Sequence, residues 1–166
     1  YYDKLFGAVI ENFKLKHSSK LPKGGILFSI LGFSPEPIIL TARTIEPDTH
    51  IIFTTNNQSE GNDYLVRYLE SNYEMVYLSD ENFNTMYKAL KEQLVLNPSS
   101  QITLDITGGK KSMVASAAIF GKDYGCKIVY VDFEEYIKDL RKPMPGSEIL
   151  NIVYNPFENQ PEIFLK

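Results

Sequence analysis

The sequence predicts an α/β fold: a mostly parallel sheet with helices on both faces. Three observations carry this. Apolar runs of five or six residues alternate along the chain with longer segments of helical spacing. The run 26–31, ILFSIL, is almost continuously apolar, which suits a strand covered on both sides. The stretch LDITGGKKSM, 104–113, reads as a buried strand entering a glycine turn that opens a helix.

Each element follows from local chemistry. Residues 3–16 place Leu5, Phe6, Val9, Ile10 and Phe13 on one helical face. This helix suits packing on the domain, and a linker or a dimer contact would show the same pattern. The division expected is therefore an N-terminal amphipathic helix or linker over 1–20 and a ligand-binding domain over 21–166. His17, Pro22, Gly24 and Gly25 break the first helix. Strand 26–31 is followed by the loop GFSPEP, 32–37, and by a helix over 38–45 with Pro37 near its first turn. Strand 50–54 leads through TTNNQSEGN into a helix over 63–72. Strand 74–78 precedes a helix ending near 96, with Asp80 as its expected N-cap. Strand 101–106 feeds a helix over 109–124, whose small residues Ala115, Ala117, Ala118 and Gly121 permit close approach to a sheet, and Gly125 ends it. Strand 127–132 closes the alternation. Two C-terminal strands, 149–154 and 162–165, are expected to pair antiparallel.

Right-handed crossovers and a strand order of about 3-2-1-4-5 make strands one and four neighbours where the winding reverses. That is a Rossmann-like arrangement. Ligands bind there, beyond the carboxyl ends of the strands. The loops after those strands are GFSPEP and TGGKKS, so the two most distinctive loops would share one crevice.

Composition limits what the crevice can serve. The chain has 166 residues and a net charge of −4, which argues against a broad basic face for long nucleic acid. No apolar run of about 18 residues is present, and no secretory signal pattern. A single cysteine, Cys126, excludes an intrachain disulfide framework and fits a reducing, cytoplasmic setting. The chain opens at Tyr1 rather than Met, which leaves room for a preceding segment.

The glycine turn is the chemical centre. Gly108 and Gly109 let a ligand approach the backbone. N–H groups at a helix start, together with Lys110 and Lys111, favour an anion. Thr107 and Ser112 add hydroxyl donors, and Met113 follows. GFSPEP contributes Gly32, Phe33 and Ser34, stiffened by Pro35. Thr54, Thr55, Asn56 and Asn57 after the second strand suit base edges or ribose, and Asp132 at the end of strand five could meet a ribose hydroxyl. Asp105, inside an apolar strand, needs buried partners and suits bracing of the loop. A Walker A loop fails, because Leu104 stands where its first glycine belongs. No G-x-G-x-x-G follows the first strand. His17 and His50 show no metal spacing, and no catalytic set is legible. Arg43 and His50 match R-x6-H, but Pro47 breaks the segment, so the match is read as chance.

The run DITGGKKSM, 105–113, resembles the D-x-[TN]-G-G-x-K-x-M signature of CARF domains, the CRISPR-associated Rossmann fold. The resemblance extends to GFSPEP and to RKPMPGSE, 141–148, which includes Arg141. It implies a homodimer that binds cyclic oligoadenylate made by type III CRISPR complexes, cyclic tetra-adenylate being the commonest ligand, with no other cofactor. Lys111 takes the signature lysine; Lys110 takes its variable position. A ring of four AMP units is two-fold symmetric, so two crevices related by a two-fold axis would present two TGGKKS turns to it. Family members commonly carry an effector after the sensor. Others are short proteins with an N-terminal transmembrane helix, so tethering of this domain to the inner membrane through a segment before Tyr1 is a further expectation. The alternative activity is a ring nuclease, which would position a ribose 2′-hydroxyl against its own phosphate and needs no histidine or metal. A transcriptional regulator would need a basic recognition helix, and none is evident.

Overall fold

The computed structural model describes residues 2–55, 59–139 and 142–156. In chain order the elements are α1 (Tyr2–His17), a 3-10 turn (Ser18–Lys20), β1 (Ile26–Ile30), α2 (Glu36–Ile45), β2 (Thr49–Thr54), α3 (Ser59–Leu69), β3 (Glu74–Tyr77), α4 (Phe83–Leu96), β4 (Ile102–Asp105), α5 (Lys111–Asp123), β5 (Lys127–Phe133), β6 (Tyr136–Ile137), β7 (Lys142–Pro143) and β8 (Glu148–Tyr154). Six strands form one sheet in the order β3-β2-β1-β4-β5-β8. The first five are parallel, and their order is the expected 3-2-1-4-5.

The C-terminal strand pairs antiparallel, with a neighbour the sequence reading did not name. β8 lies antiparallel against β5, with Val131 opposite Leu150 and Phe133 opposite Glu148. Its expected partner, 162–165, lies outside the described residues. A two-residue hairpin of β6 and β7 fills a connection that shows no strand period in the sequence. The N-terminus of α4 is also shifted. Asn82 is its N-cap, and Asp80 Oδ1 accepts the Asn82 N–H at 2.9 Å, bracing the turn before the helix rather than capping it.

Alternation along each strand sorts the side chains onto two cores. One face carries Leu27, Ile52 and Val129 under α1, α2 and α3. The other carries Ile26, Phe28, Ile30, Ile51, Phe53 and Leu104 under α4 and α5. α1 is built into the first core: Phe6, Val9, Ile10 and Phe13 are buried there with Ile39 and Leu65. Its Lys14 reaches Glu46, just past α2, at 2.9 Å. On the second face Gly121 admits α5 to the sheet, since a Cβ there would lie 2.7 Å from Ile128 Cδ1.

The first face also holds a buried polar seam. Ser29, His50, Thr103 and Asp105 on the strands, and Thr41 and Thr44 on α2, are almost wholly inaccessible. Both threonines bond back to their own helix, to Pro37 O at 3.2 Å and Leu40 O at 2.8 Å. Ser29 Oγ and His50 Nε2 are 2.9 Å apart. Cys126 is fully buried at the start of β5, and burial pushes its thiol up to about 12.

Candidate functional site

The switch point between β1 and β4 is where the two distinctive loops meet, and glycines make the meeting possible. A Cβ on Gly108 would lie 2.4 Å from Ile30 O and 2.7 Å from Gly32 N. A Cβ on Gly32 would lie 2.9 Å from Gly109 N. No side chain fits at either place. Gly109 has φ +93°, in the left-handed region that glycine tolerates. The two loops therefore rest backbone on backbone. Between them opens a crevice of about 290 Å³.

Of the residues expected at the site, Gly32, Phe33, Ser34, Thr107, Gly108, Gly109, Lys110 and Met113 line this crevice. Lys110 is the N-cap of α5 and is exposed, with its Nζ 5.8 Å from the centroid of the Phe33 ring. Its side chain has no acceptor to offer, and no side-chain hydrogen bond caps the helix. The first free N–H groups of α5 thus begin at Lys111, two residues later than the sequence suggests. Lys111 and Ser112 are exposed on that first turn, beyond the crevice lining.

The remaining expected residues sit elsewhere. Pro35 is buried as the N-cap of α2. Thr54 is buried at the end of β2, where its carbonyl accepts the Leu78 N–H at 2.8 Å. Asp132 is exposed on β5, away from the crevice; it accepts the Phe133 N–H at 2.8 Å and the Tyr130 hydroxyl at 3.3 Å. Asn56, Asn57 and Arg141 lie outside the described residues.

Asp105 braces the turn. Its Oδ1 accepts both the Thr107 N–H, at 3.0 Å, and the Thr107 hydroxyl, while Thr107 Oγ accepts the Val131 N–H at 2.9 Å. The Thr107 hydroxyl spends its proton on Asp105, so what Thr107 offers the crevice is backbone and methyl. Burial raises the Asp105 carboxyl to about 6, against the opposing pull of the Thr107 bonds and weakly of Thr41. Its Oδ2 has no partner of hydrogen-bonding geometry.

Of the polar run after the second strand, Thr55 reaches the crevice from the end of β2; Glu81, which enters from the loop before α4, carried no sequence signal. Ser112 donates to the Glu81 carbonyl at 2.5 Å, which ties that loop to α5. The crevice is therefore bordered by residues of both signs, Lys110 with the open helix N–H groups and Glu81. Among the described residues, no group of three or more His, Cys, Asp or Glu is placed to hold a metal ion. No helix among them is long and apolar enough to cross a membrane.

A sheet wound in this order, with a glycine-floored crevice at its switch point, has the layout of a doubly wound α/β domain, the class that takes ligands at that point. No family model matches the chain. The chain is 33% identical over 93 residues to the CRISPR system endoribonuclease Csm6 of Thermus thermophilus, a match that spans 53% of this chain and 20% of that protein. Among solved structures it resembles Can2 from Sulfobacillus thermosulfidooxidans in complex with cyclic tetra-adenylate, with TM-score 0.54 and 21% identity over 65% of this chain and 32% of the other. It also resembles Enterococcus italicus Csm6 bound to cyclic hexa-2′-fluoro-hexa-dAMP, with TM-score 0.51 and 18% identity over 68% and 34%. Protein VC1899 from Vibrio cholerae matches with TM-score 0.62 and 15% identity over 81% and 34%. The chain thus spans about a fifth of the curated relative and about a third of each structural one. Over the matched regions the chain is thus similar in sequence to Csm6 and in fold to Can2 and Csm6.

Proposed function

We propose that this domain senses cyclic oligoadenylate, with cyclic tetra-adenylate as its ligand, and that it does so at the interface of a homodimer to switch an attached effector in type III CRISPR antiviral defence. The carrying observation is the crevice itself. Two loops locked together by glycines present Lys110 and the uncapped N-terminus of α5 to one anionic ligand. The relatives supply the ligand class, since Can2 and Csm6 of similar fold are seen with cyclic oligoadenylates or an analogue.

A second copy is supported by a separate surface groove. An apolar groove runs along α4 and α5, lined by Phe83, Tyr87, Val95, Leu96 and Ile119. Val95 and Leu96 are 79% and 71% exposed. The charged residues of this groove are Lys88, Lys91, Glu92 and Asp123, two of each sign. A patch that must meet its own image across a two-fold axis needs such a balance, because one sign would repel itself. Both helices begin beside the crevice, so copies joined here about an axis running along the helices would have their crevices at the same end.

Calorimetric titration with cyclic tetra-adenylate tests the ligand. Lys111→Ala is expected to weaken binding at least about 10-fold, the scale of removing one charge-assisted bond to phosphate from each half of the site. Absence of binding to cyclic tetra-adenylate and cyclic hexa-adenylate alike, or unchanged affinity in the variant, would count against the proposal.

A further inference from the structure

Folding buries most of the phenylalanines it can reach. Phe6, Phe13, Phe28, Phe53 and Phe120 are at most 1% exposed, and Phe83 and Phe133 are partly covered. Phe33 is 87% exposed and stands apart among the described phenylalanines. A single apolar side chain in water needs no explanation by itself. Its setting gives this one meaning. It lies on the crevice. Its loop is held at one end by Gly32, wedged against Gly108 and Gly109, and at the other by Pro35 and Pro37 at the start of α2. The ring is therefore carried on a stiff support rather than a free loop. The Lys110 ammonium stands 5.8 Å from its centroid.

A fixed, solvent-facing aromatic ring beside a cation matches the two halves of a nucleotide. A base has a π-face that stacks on an aromatic ring, and its phosphate carries the charge that an ammonium takes. The remaining polar lining fits the edge of such a base. Glu81 has no favourable contact with a phosphate, but its carboxylate accepts from an exocyclic amino group. We infer that Phe33 and Lys110 form a nucleotide subsite at the mouth of the crevice, in which an amino-bearing purine stacks on the Phe33 ring and the adjoining phosphate meets Lys110. This rests on the cyclic-oligoadenylate reading above and adds to it which side chains grip one nucleotide unit.

The test is titration of the chain with cyclic tetra-adenylate, and in parallel with cyclic hexa-adenylate, using wild type, Phe33→Leu, Phe33→Trp and Lys110→Met. Leucine keeps apolar bulk and removes the π-face; tryptophan restores it. Phe33→Leu is expected to bind at least about 10-fold more weakly, within the roughly 5- to 150-fold range of one aromatic–base stack. Phe33→Trp is expected to keep wild-type affinity. Proton spectra of the ligand should show adenine H2 and H8 shifted upfield on wild type and Phe33→Trp, and not on Phe33→Leu. Lys110→Met should keep that ring shift and flatten the salt dependence of binding, by about 0.7 in log–log slope for each phosphate that is no longer neutralised. Equal affinity of wild type and Phe33→Leu, or a Phe33→Trp variant as weak as Phe33→Leu, overturns the subsite while leaving the sensor reading intact. A wild-type chain that binds neither ring overturns both.

Discussion

Asp105 and His50 are two buried titratable side chains that pull stability in opposite directions. Burial raises Asp105 to about 6 and lowers His50 to about 3. The raised carboxyl favours the fold fully below its ordinary value near 3.8, and that advantage is lost as pH rises through about 6. The depressed imidazole favours the fold fully above its ordinary value near 6.5, and that advantage is lost as pH falls toward about 3. Between pH 4 and 6 the two slopes oppose. Asp105→Asn keeps an acceptor for Thr107 and removes one of them. Its stability is expected to rise with pH across that window more steeply than wild type, by up to about 1.4 kcal/mol per pH unit. The stability of His50→Gln is expected to fall across the same window. Urea unfolding at pH 4, 5, 6 and 7 separates the three proteins. At pH 7 Asp105→Asn is expected to lie within about 3 kcal/mol of wild type, because the disfavoured buried charge is removed while the new amide N–H groups take the place of an oxygen that already lacks a partner.

At the scale of elements, α5 is joined to the start of α4 by two hydroxyls. Ser116 Oγ donates to the Phe83 carbonyl at 2.8 Å, and Ser112 Oγ to the Glu81 carbonyl at 2.5 Å. Ser116 is fully buried, so Ser116→Ala is expected to cost about 1 kcal/mol in denaturant unfolding. Ser112 is exposed, so Ser112→Ala should change stability by less than about 0.5 kcal/mol. The contrast shows which bond supports the fold and which only places the Glu81 loop beside the crevice. Elements were largely legible in the sequence. The apolar runs and the glycine and proline punctuation located every strand of the parallel sheet, and the handedness of crossovers then dictated its order. The β6–β7 hairpin was not legible, because two-residue strands around Lys138 and Asp139 have no period to read. The contact of β8 with β5 was not legible for a related reason: a seven-residue strand fits several partners by pattern alone.

At the scale of the molecule, the site was half legible. Glycines and lysines announce an anion turn from adjacent residues, and the strand order pairs that turn with GFSPEP. What escaped is what arrives from far along the chain. Glu81 reaches the crevice because α4 starts beside it. Thr107 is committed elsewhere because the Val131 N–H comes from the neighbouring strand. Neither follows from spacing. The proposed dimer belongs to this scale too. Val95→Asp together with Leu96→Asp places like charges against their own images on the α4–α5 groove. Sedimentation equilibrium is expected to show a dimer for the wild type and a monomer for the double variant, with the unfolding midpoint of the isolated domain little changed, since both positions are exposed. A wild-type monomer at high micromolar concentration, with ligand present, would remove the two-fold reading.

The sequestered thiol of Cys126 has a practical corollary. It is the sole cysteine of the chain, it is closed to solvent, and its ionisation is suppressed. The native surface is therefore blank to maleimides and other thiol reagents. A cysteine placed at an exposed position such as Ala115, one turn along the helix that opens at the crevice, would be the single reactive handle on the folded chain. One dye or spin label could then be set beside the mouth of the crevice without first stripping the protein of its own sulfur.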